Sequence, residues 1–213
     1  MTKLKEIFSD GIILFALSTG FVMVVDKGFS KLKGAVKADD PIVTAIVQAD
    51  SKKLQEVVKQ GESVTNETDE LGRSALMRAA YANYADPATI ADTDAKRVAM
   101  VELLVSHGAQ LDTLDRDGWS ALMWASWSGL NQVASKLLEL GAAHQFADKQ
   151  GNTALIIAAQ RGHADIVKAL LAKGADKTVA NKSGKTALEA ARLGLEQYPD
   201  KKDRYGTVIA ALR

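Results

Sequence analysis

Apolar residues in the second half of the chain recur with a helical spacing that stops and restarts. In DKQGNTALIIAAQRGHADIVKALLAKGADKTVA (148–180), Leu155, Ala158 and Ala159 fall at i, i+3 and i+4, one stripe of a short helix. Thr153 stands just ahead of it, where a hydroxyl can accept an orphan backbone N–H. Arg161-Gly162 interrupts the stripe. Ile166, Val167, Leu170 and Leu171 predict a second helix, which Gly174 ends as a C′ glycine. From there to Gly184 there is no apolar periodicity, so a loop returns the chain to its starting side.

The same pattern stands 33 residues earlier in DRDGWSALMWASWSGLNQVASKLLELGAAHQFA (115–147). Gly118 recurs as Gly151, Ala121-Leu122 as Ala154-Leu155, Ala125 as Ala158, Leu137-Leu138 as Leu170-Leu171, and Gly141 as Gly174. A fixed period of this length marks a repeat array, in which each helical pair is stable only when stacked on its neighbours. Five units are expected, at about 38–67, 68–114, 115–147, 148–180 and 181–213. The first is degenerate: Asp40-Pro41 supplies a cap and an N1 proline, and Ile42, Ala45, Leu54, Val57 and Val58 keep the apolar positions. From Ser74 to Ser120 is 46 residues, against 33 from Ser120 to Thr153, an excess of 13. That insertion falls between Ala82 and Lys96; its proline and three acids predict a loop with about one helical turn. Insertions in arrays map to loops on one face, often the binding face. The fifth unit keeps Leu188 and Ala191, diverges through Tyr198-Pro199, and closes on a helix carrying Val208, Ile209 and Leu212 as a cap.

The pattern D-x-x-G-x-T-A-L-x-x-A-A-x-x-G-H-x-x-I-V-x-x-L-L-x-x-G-A-D of 148–176 resembles an ankyrin repeat. The family's Thr-Pro-Leu-His box survives as Ser74-Ala75-Leu76-Met77, Ser120-Ala121-Leu122-Met123, Thr153-Ala154-Leu155-Ile156 and Thr186-Ala187-Leu188-Glu189, without its proline and histidine. The resemblance covers about residues 38–213. It implies an all-α solenoid of stacked helix-turn-helix units with hairpin-like loops, acting as a protein-binding module rather than an enzyme, the repeat domain itself monomeric. Small ankyrin proteins often serve as inhibitors, chaperones or accessory subunits of another protein.

Residues 1–37 stand outside the repeats. Lys3 and Lys5 precede the apolar run GIILFALSTGFVMVV (11–25), fifteen residues without a charge, between Asp10 and Asp26. The expected form is a hydrophobic helix that anchors the chain in a membrane, although a spanning helix wants about 20 residues. A cleaved signal peptide needs small residues after its apolar region. Ser18-Thr19-Gly20 offers them, but Phe21–Val25 then continues the run. The other reading is a buried or capping helix on the first repeat. Lys27, Lys31, Lys33 and Lys37 lean toward repeats on the cytoplasmic side; an exported or soluble chain is the alternative, and cleavage and sidedness stay open.

Charge and composition narrow the function further. The 27 basic and 26 acidic residues are intermixed, with no basic face or run of the kind a nucleic-acid binder shows. With no cysteine, thiolate chemistry, disulfides and Cys-containing zinc sites are excluded. Gly184-Lys185-Thr186 lacks the first glycine of a phosphate loop, since Val179 stands there. His107, His144 and His163 have no metal-ligand spacing, and His163 holds the histidine of the family's structural Gly-His pair. Neither a catalytic nor a metal site is expected, and no cofactor. Asn66-Glu67-Thr68 and Asn181-Lys182-Ser183 are glycosylation sequons that chance in polar loops explains.

Aromatic placement carries the functional expectation. Trp119, Trp124 and Trp127 all lie in one repeat. The ankyrin resemblance implies partner contacts from the hairpin tip, from the residue before each Ser/Thr cap, and from positions after the paired alanines. Those are Arg116 in a hairpin; Arg73, Trp119 and Asn152 before the caps; Tyr81, Trp127 and Gln160 after the alanines, with Arg161 following; and Tyr84 in the insertion. Trp119, Trp127 and Tyr81 are expected to line one concave surface over repeats 2–4, since exposed Trp, Tyr and Arg make interface hot spots. Trp124 is expected to pack between helices.

Overall fold

The computed structural model describes residues 12–16, 22–26, 41–47, 50–59, 66–81 and 90–213. It divides into two compact units, 1–40 and 41–213.

In the first unit, β1 (Ile12–Ala16) pairs antiparallel with β2 (Val22–Asp26), Leu14 opposite Val24. This corrects the expected amino-terminal hydrophobic helix: the described parts of the run are extended. The composition explains it. Ile12, Ile13, Val22, Val24 and Val25 are β-branched and favour extended backbone, and Ser18-Thr19-Gly20 between the strands is turn-type sequence. Among the described residues no helix is long and apolar enough to cross a membrane.

The second unit is helical. Its elements are α1 (Pro41–Val47), α2 (Ser51–Val58), α3 (Ala75–Ala79), α4 (Ile90–Ser106), α5 (Ala121–Ser128), α6 (Asn131–Glu139), α7 (Ala154–Arg161), α8 (Ala164–Ala172), α9 (Ala187–Gln197) and α10 (Lys202–Leu212). A 3-10 turn, Pro199–Lys201, separates the last two. Odd-numbered helices stack on odd-numbered ones and even on even, so two helical layers run the length of the array. The core lies between them. Leu76, Leu122 and Leu155 from the first layer meet Leu104, Leu137 and Leu170 from the second, all at most 1% exposed.

Local chemistry sets each boundary. Ser74, Ser120, Thr153 and Thr186 cap α3, α5, α7 and α9, each hydroxyl accepting from the backbone N–H three residues on. Thr186 forms a full capping box with Glu189. The expected stripes hold, Leu155, Ala158, Ala159, Ile166, Val167 and Leu170 being buried, while Leu171 stays half-buried at the edge. The hairpin glycines Gly72, Gly118, Gly151 and Gly184 all adopt φ between 71° and 83°, at equivalent turns.

The insertion departs from expectation. Residues 82–89, with Tyr84, lie outside those described, but 90 onward is helix. α4 has 17 residues where α6 and α8 have nine, so the insertion lengthens a helix rather than forming only a loop. Two buried polar residues show why. The Asp94 carboxylate accepts from the backbone N–H groups of Gln132 (2.7 Å) and Val133 (3.0 Å), at the start of α6, where Leu130 offers no side-chain cap. Arg97 donates to the carbonyls of Arg78 (3.2 Å) and Ala79 (3.0 Å) at the end of α3. The extra turns of α4 thus supply a missing cap to the next repeat and satisfy orphan carbonyls of their own.

Candidate functional site

Each hairpin is built on one acid or amide. Oδ1 of Asp69, Asp115, Asp148 and Asn181 accepts from the backbone N–H groups two and four residues on, at 2.8–3.0 Å. Successive hairpins are then tied by Arg116 N–H to Leu71 C=O, Lys149 N–H to Asp117 C=O and Lys182 N–H to Gln150 C=O. This ladder fixes where each pre-cap residue points.

What that residue does depends on the second carboxylate oxygen. On Asp69 it receives Arg73 Nε (2.8 Å) and Arg78 Nη2 (2.7 Å). Burial by itself raises Asp69, but the Arg73 backbone and guanidinium bonds and the charges of Arg73 and Arg78 outweigh it and hold the carboxyl below the ordinary value. On Asp115 the same oxygen receives the Trp124 indole N–H at 3.1 Å. With no guanidinium to offset burial, Asp115 is pushed up. Arg73 and Asn152 are likewise engaged, the latter between Asp148 and Asn181. They brace the hairpins.

Trp119 does not lie open on the surface. Its side chain is 6% exposed and its ring centroid sits 4.7 Å from that of Trp124, itself 9% exposed as expected. The expectation that Trp119 faces a partner is corrected: a bulky Trp at 124, where the next repeat has Ile157, gives it a ring to pack on. From Trp124 the row continues to Tyr81, 4.8 Å away edge-on, and from Tyr81 to Trp127, 5.8 Å away. Arg161 Cζ lies 4.5 Å over the Trp127 ring, a cation–π contact. Tyr81 and Trp127 are half-buried, while Gln160, Arg161 and Arg116 are exposed. The structure brings Tyr81, Trp127 and Arg161 together along adjacent repeats, with Gln160 next to Arg161, and sets Arg116 apart on its hairpin.

Tyr81 just past α3, Trp127 on α5 and Gln160 on α7 hold matched positions of successive repeats. The family described as Ankyrin repeats (3 copies) matches residues 42–148 and again 132–197. The chain belongs to the ankyrin-repeat family. Ankyrin repeats are in general protein–protein interaction modules. No curated protein compared with the chain matches it.

One member of this ankyrin surface has no counterpart in the sequence pattern. Arg204, on the capping helix α10, donates from Nε to the Gly162 carbonyl (2.9 Å) and from Nη2 to His163 Nδ1 (2.7 Å). The His163 ring lies against Gly129. A guanidinium donating to Nδ1 requires that nitrogen to carry no proton, so the imidazole is neutral. Burial, then the charges of Arg204 and Arg161, depress it to about 3. Arg204 lies 41 residues from His163 outside the repeating register, so no periodicity signals it.

Proposed function

We propose that the ankyrin domain binds a partner protein through the surface centred on Trp127, Gln160 and Arg161, with Tyr81 behind them and Arg116 at the rim. The observation that carries this reading is the cation–π pair itself. Trp127 is only half-buried, and an arginine that could extend into water lies over its ring instead, which pre-orders two hot-spot residue types side by side. Trp119, Arg73 and Asn152 support the surface from beneath rather than contact the partner.

The test is a photo-crosslinking amino acid at Gln160 of the full chain in its native cell. A discrete crosslinked protein is expected, and it should vanish when Trp127 is changed to Ala while the melting curve keeps its shape. A crosslinked species indifferent to Trp127→Ala would place binding elsewhere.

Attachment to a membrane through 11–25 belongs to the same reading and is supported by composition, fifteen uncharged residues in a row. Full-length chain should stay in the membrane pellet after a carbonate wash. Recovery in the soluble fraction removes the tether and leaves the interaction surface standing.

A further inference from the structure

We infer that the two guanidinium groups at the Gly162–His163 turn, those of Arg161 and Arg204, form a docking subsite for an acidic segment of the partner protein, an Asp or Glu side chain bridging them beside the Trp127 ring. The inference rests on the reading of the Trp127 surface given above and names the chemistry it selects.

Both groups are fixed around one turn. Arg161 precedes Gly162 in the chain and is laid on Trp127; Arg204, from the capping helix α10, is bonded to Gly162 and His163. Each is exposed, and neither forms an ion pair with a carboxylate among the described residues. Asp165, one turn away, is taken up by Lys168 (4.0 Å) and Asn131 (3.5 Å). His163 between them is neutral and supplies no compensation. Arg204 feels the conflict in part: burial above all disfavours its charged form, the neighbouring Tyr205 opposes that, and the like charge of Arg161 adds a smaller push in the same direction as burial.

A capping role explains only part of this. A cation at the end of α7 is favoured by the exposed carbonyls there, which accounts for Arg161 being basic. It also accounts for the Arg204 Nε bond to the Gly162 carbonyl, but not for two like charges left at one turn without a carboxylate among the described residues, which repel unless an anion joins them. Five donors in a planar fork match a carboxylate bidentately, and Arg204 spends one edge on the protein while keeping the rest outward. In a chain of balanced overall charge this local excess is a selection for acid.

The test uses the full chain, isotope-labelled, with the Trp127 indole N–H as reporter, assigned from Trp127→Phe. Octaglutamate should shift that resonance, octaglutamine should not, and rising salt should weaken the response. Arg161→Gln with Arg204→Gln should weaken octaglutamate roughly tenfold or more, the scale of a lost charged hydrogen bond. Lys149→Gln with Lys182→Gln on the hairpins should leave it unchanged. Arg161→Gln alone keeps the Arg204–His163 framework and should give part of the loss even if the double variant folds poorly. An equal response in the arginine and lysine variants, or competition by inorganic phosphate at the concentrations where octaglutamate acts, would overturn the inference. If Trp127→Ala also abolishes partner crosslinking while the arginine variants leave it intact, the interaction surface survives and the acidic subsite does not.

Discussion

At the scale of single residues, Trp119 and Trp127 show what decides whether an aromatic ring is core or contact. Both are tryptophans of one repeat, but Trp119 is buried with Trp124 against it, while Trp127 is half-buried between a tilted Tyr81 ring 5.8 Å away and a guanidinium. Trp119→Ala therefore empties packed volume and should cost about 3–5 kcal/mol in urea unfolding, whereas Trp127→Ala should move the midpoint far less. Ser126 offers the opposite sign. Its hydroxyl is wholly buried with no hydrogen-bond partner among the described residues, at the position that Ala80 and Ala159 hold in neighbouring repeats. Ser126→Ala should raise stability by about 1 kcal/mol. His163 brings in pH. Its folded pKa of about 3 lies below the ordinary 6.5, so the folded state resists its protonation. Its contribution is complete above pH 6.5 and is lost as pH falls through the window toward 3. Solvent at the ring edge trims the effect, and acidification from 6.5 to 5 should cost about 1–2 kcal/mol. Denaturation midpoints at the two pH values check this, and His163→Gln should flatten the difference.

Elements were legible in proportion to how local their causes are. The caps Ser74, Ser120, Thr153 and Thr186 act on a backbone N–H three residues away, and the hairpin glycines act on their own φ, so a sequence pattern contains all that is needed to place them. The insertion was not legible, because its helix is justified from a distance. Asp94 finds its partners 38 and 39 residues on, across a repeat boundary, and the Asp-Pro and acidic residues around it have the composition of a loop. Likewise β1 and β2 share an apolar run whose lack of period is compatible with helix or strand; β-branching, not hydropathy, separates them. The candidate surface divides in the same way. Trp127 and Arg161 follow from repeat register, while Arg204 comes from the diverged cap and the burial of Trp119 from a neighbour five residues on. If Asp94 is the cap of α6, Asp94→Ala should cost roughly 2 kcal/mol, comparable to a lost N-cap and its bonds, with Asp94→Asn recovering part. Hydrogen exchange should then quicken first at Gln132 and Val133. Unchanged exchange at those amides would mean that α6 starts without help from α4.

For the whole array, stability is a sum over neighbours, so the strength of each junction sets how far a local defect spreads. The junction between the fourth and fifth units can be read atom by atom. Gly194 on α9 has no side chain because the Tyr205 ring and the Gln160 carbonyl occupy that space; a Cβ there would overlap the ring and fall 2.7 Å from the carbonyl oxygen. Tyr205 is 2% exposed and its hydroxyl donates to that same carbonyl at 2.9 Å. Arg204 crosses the boundary beside it. Gly194→Ala must therefore push α9 and α10 off α7, an overpacking cost of about 1–3 kcal/mol. In a globular core that cost would lower protection everywhere. In a stack it is felt at one junction, so amide exchange should accelerate strongly over 181–213, modestly over 148–180, and little over 115–147. The earlier units would remain in register while the cap frays. The same substitution loosens Arg204 from Gly162, so octaglutamate binding should weaken alongside the fraying even though residue 194 lies outside the proposed subsite. Uniform acceleration across 41–213 would show that the unit unfolds as one body and that the nearest-neighbour description of its stability is wrong.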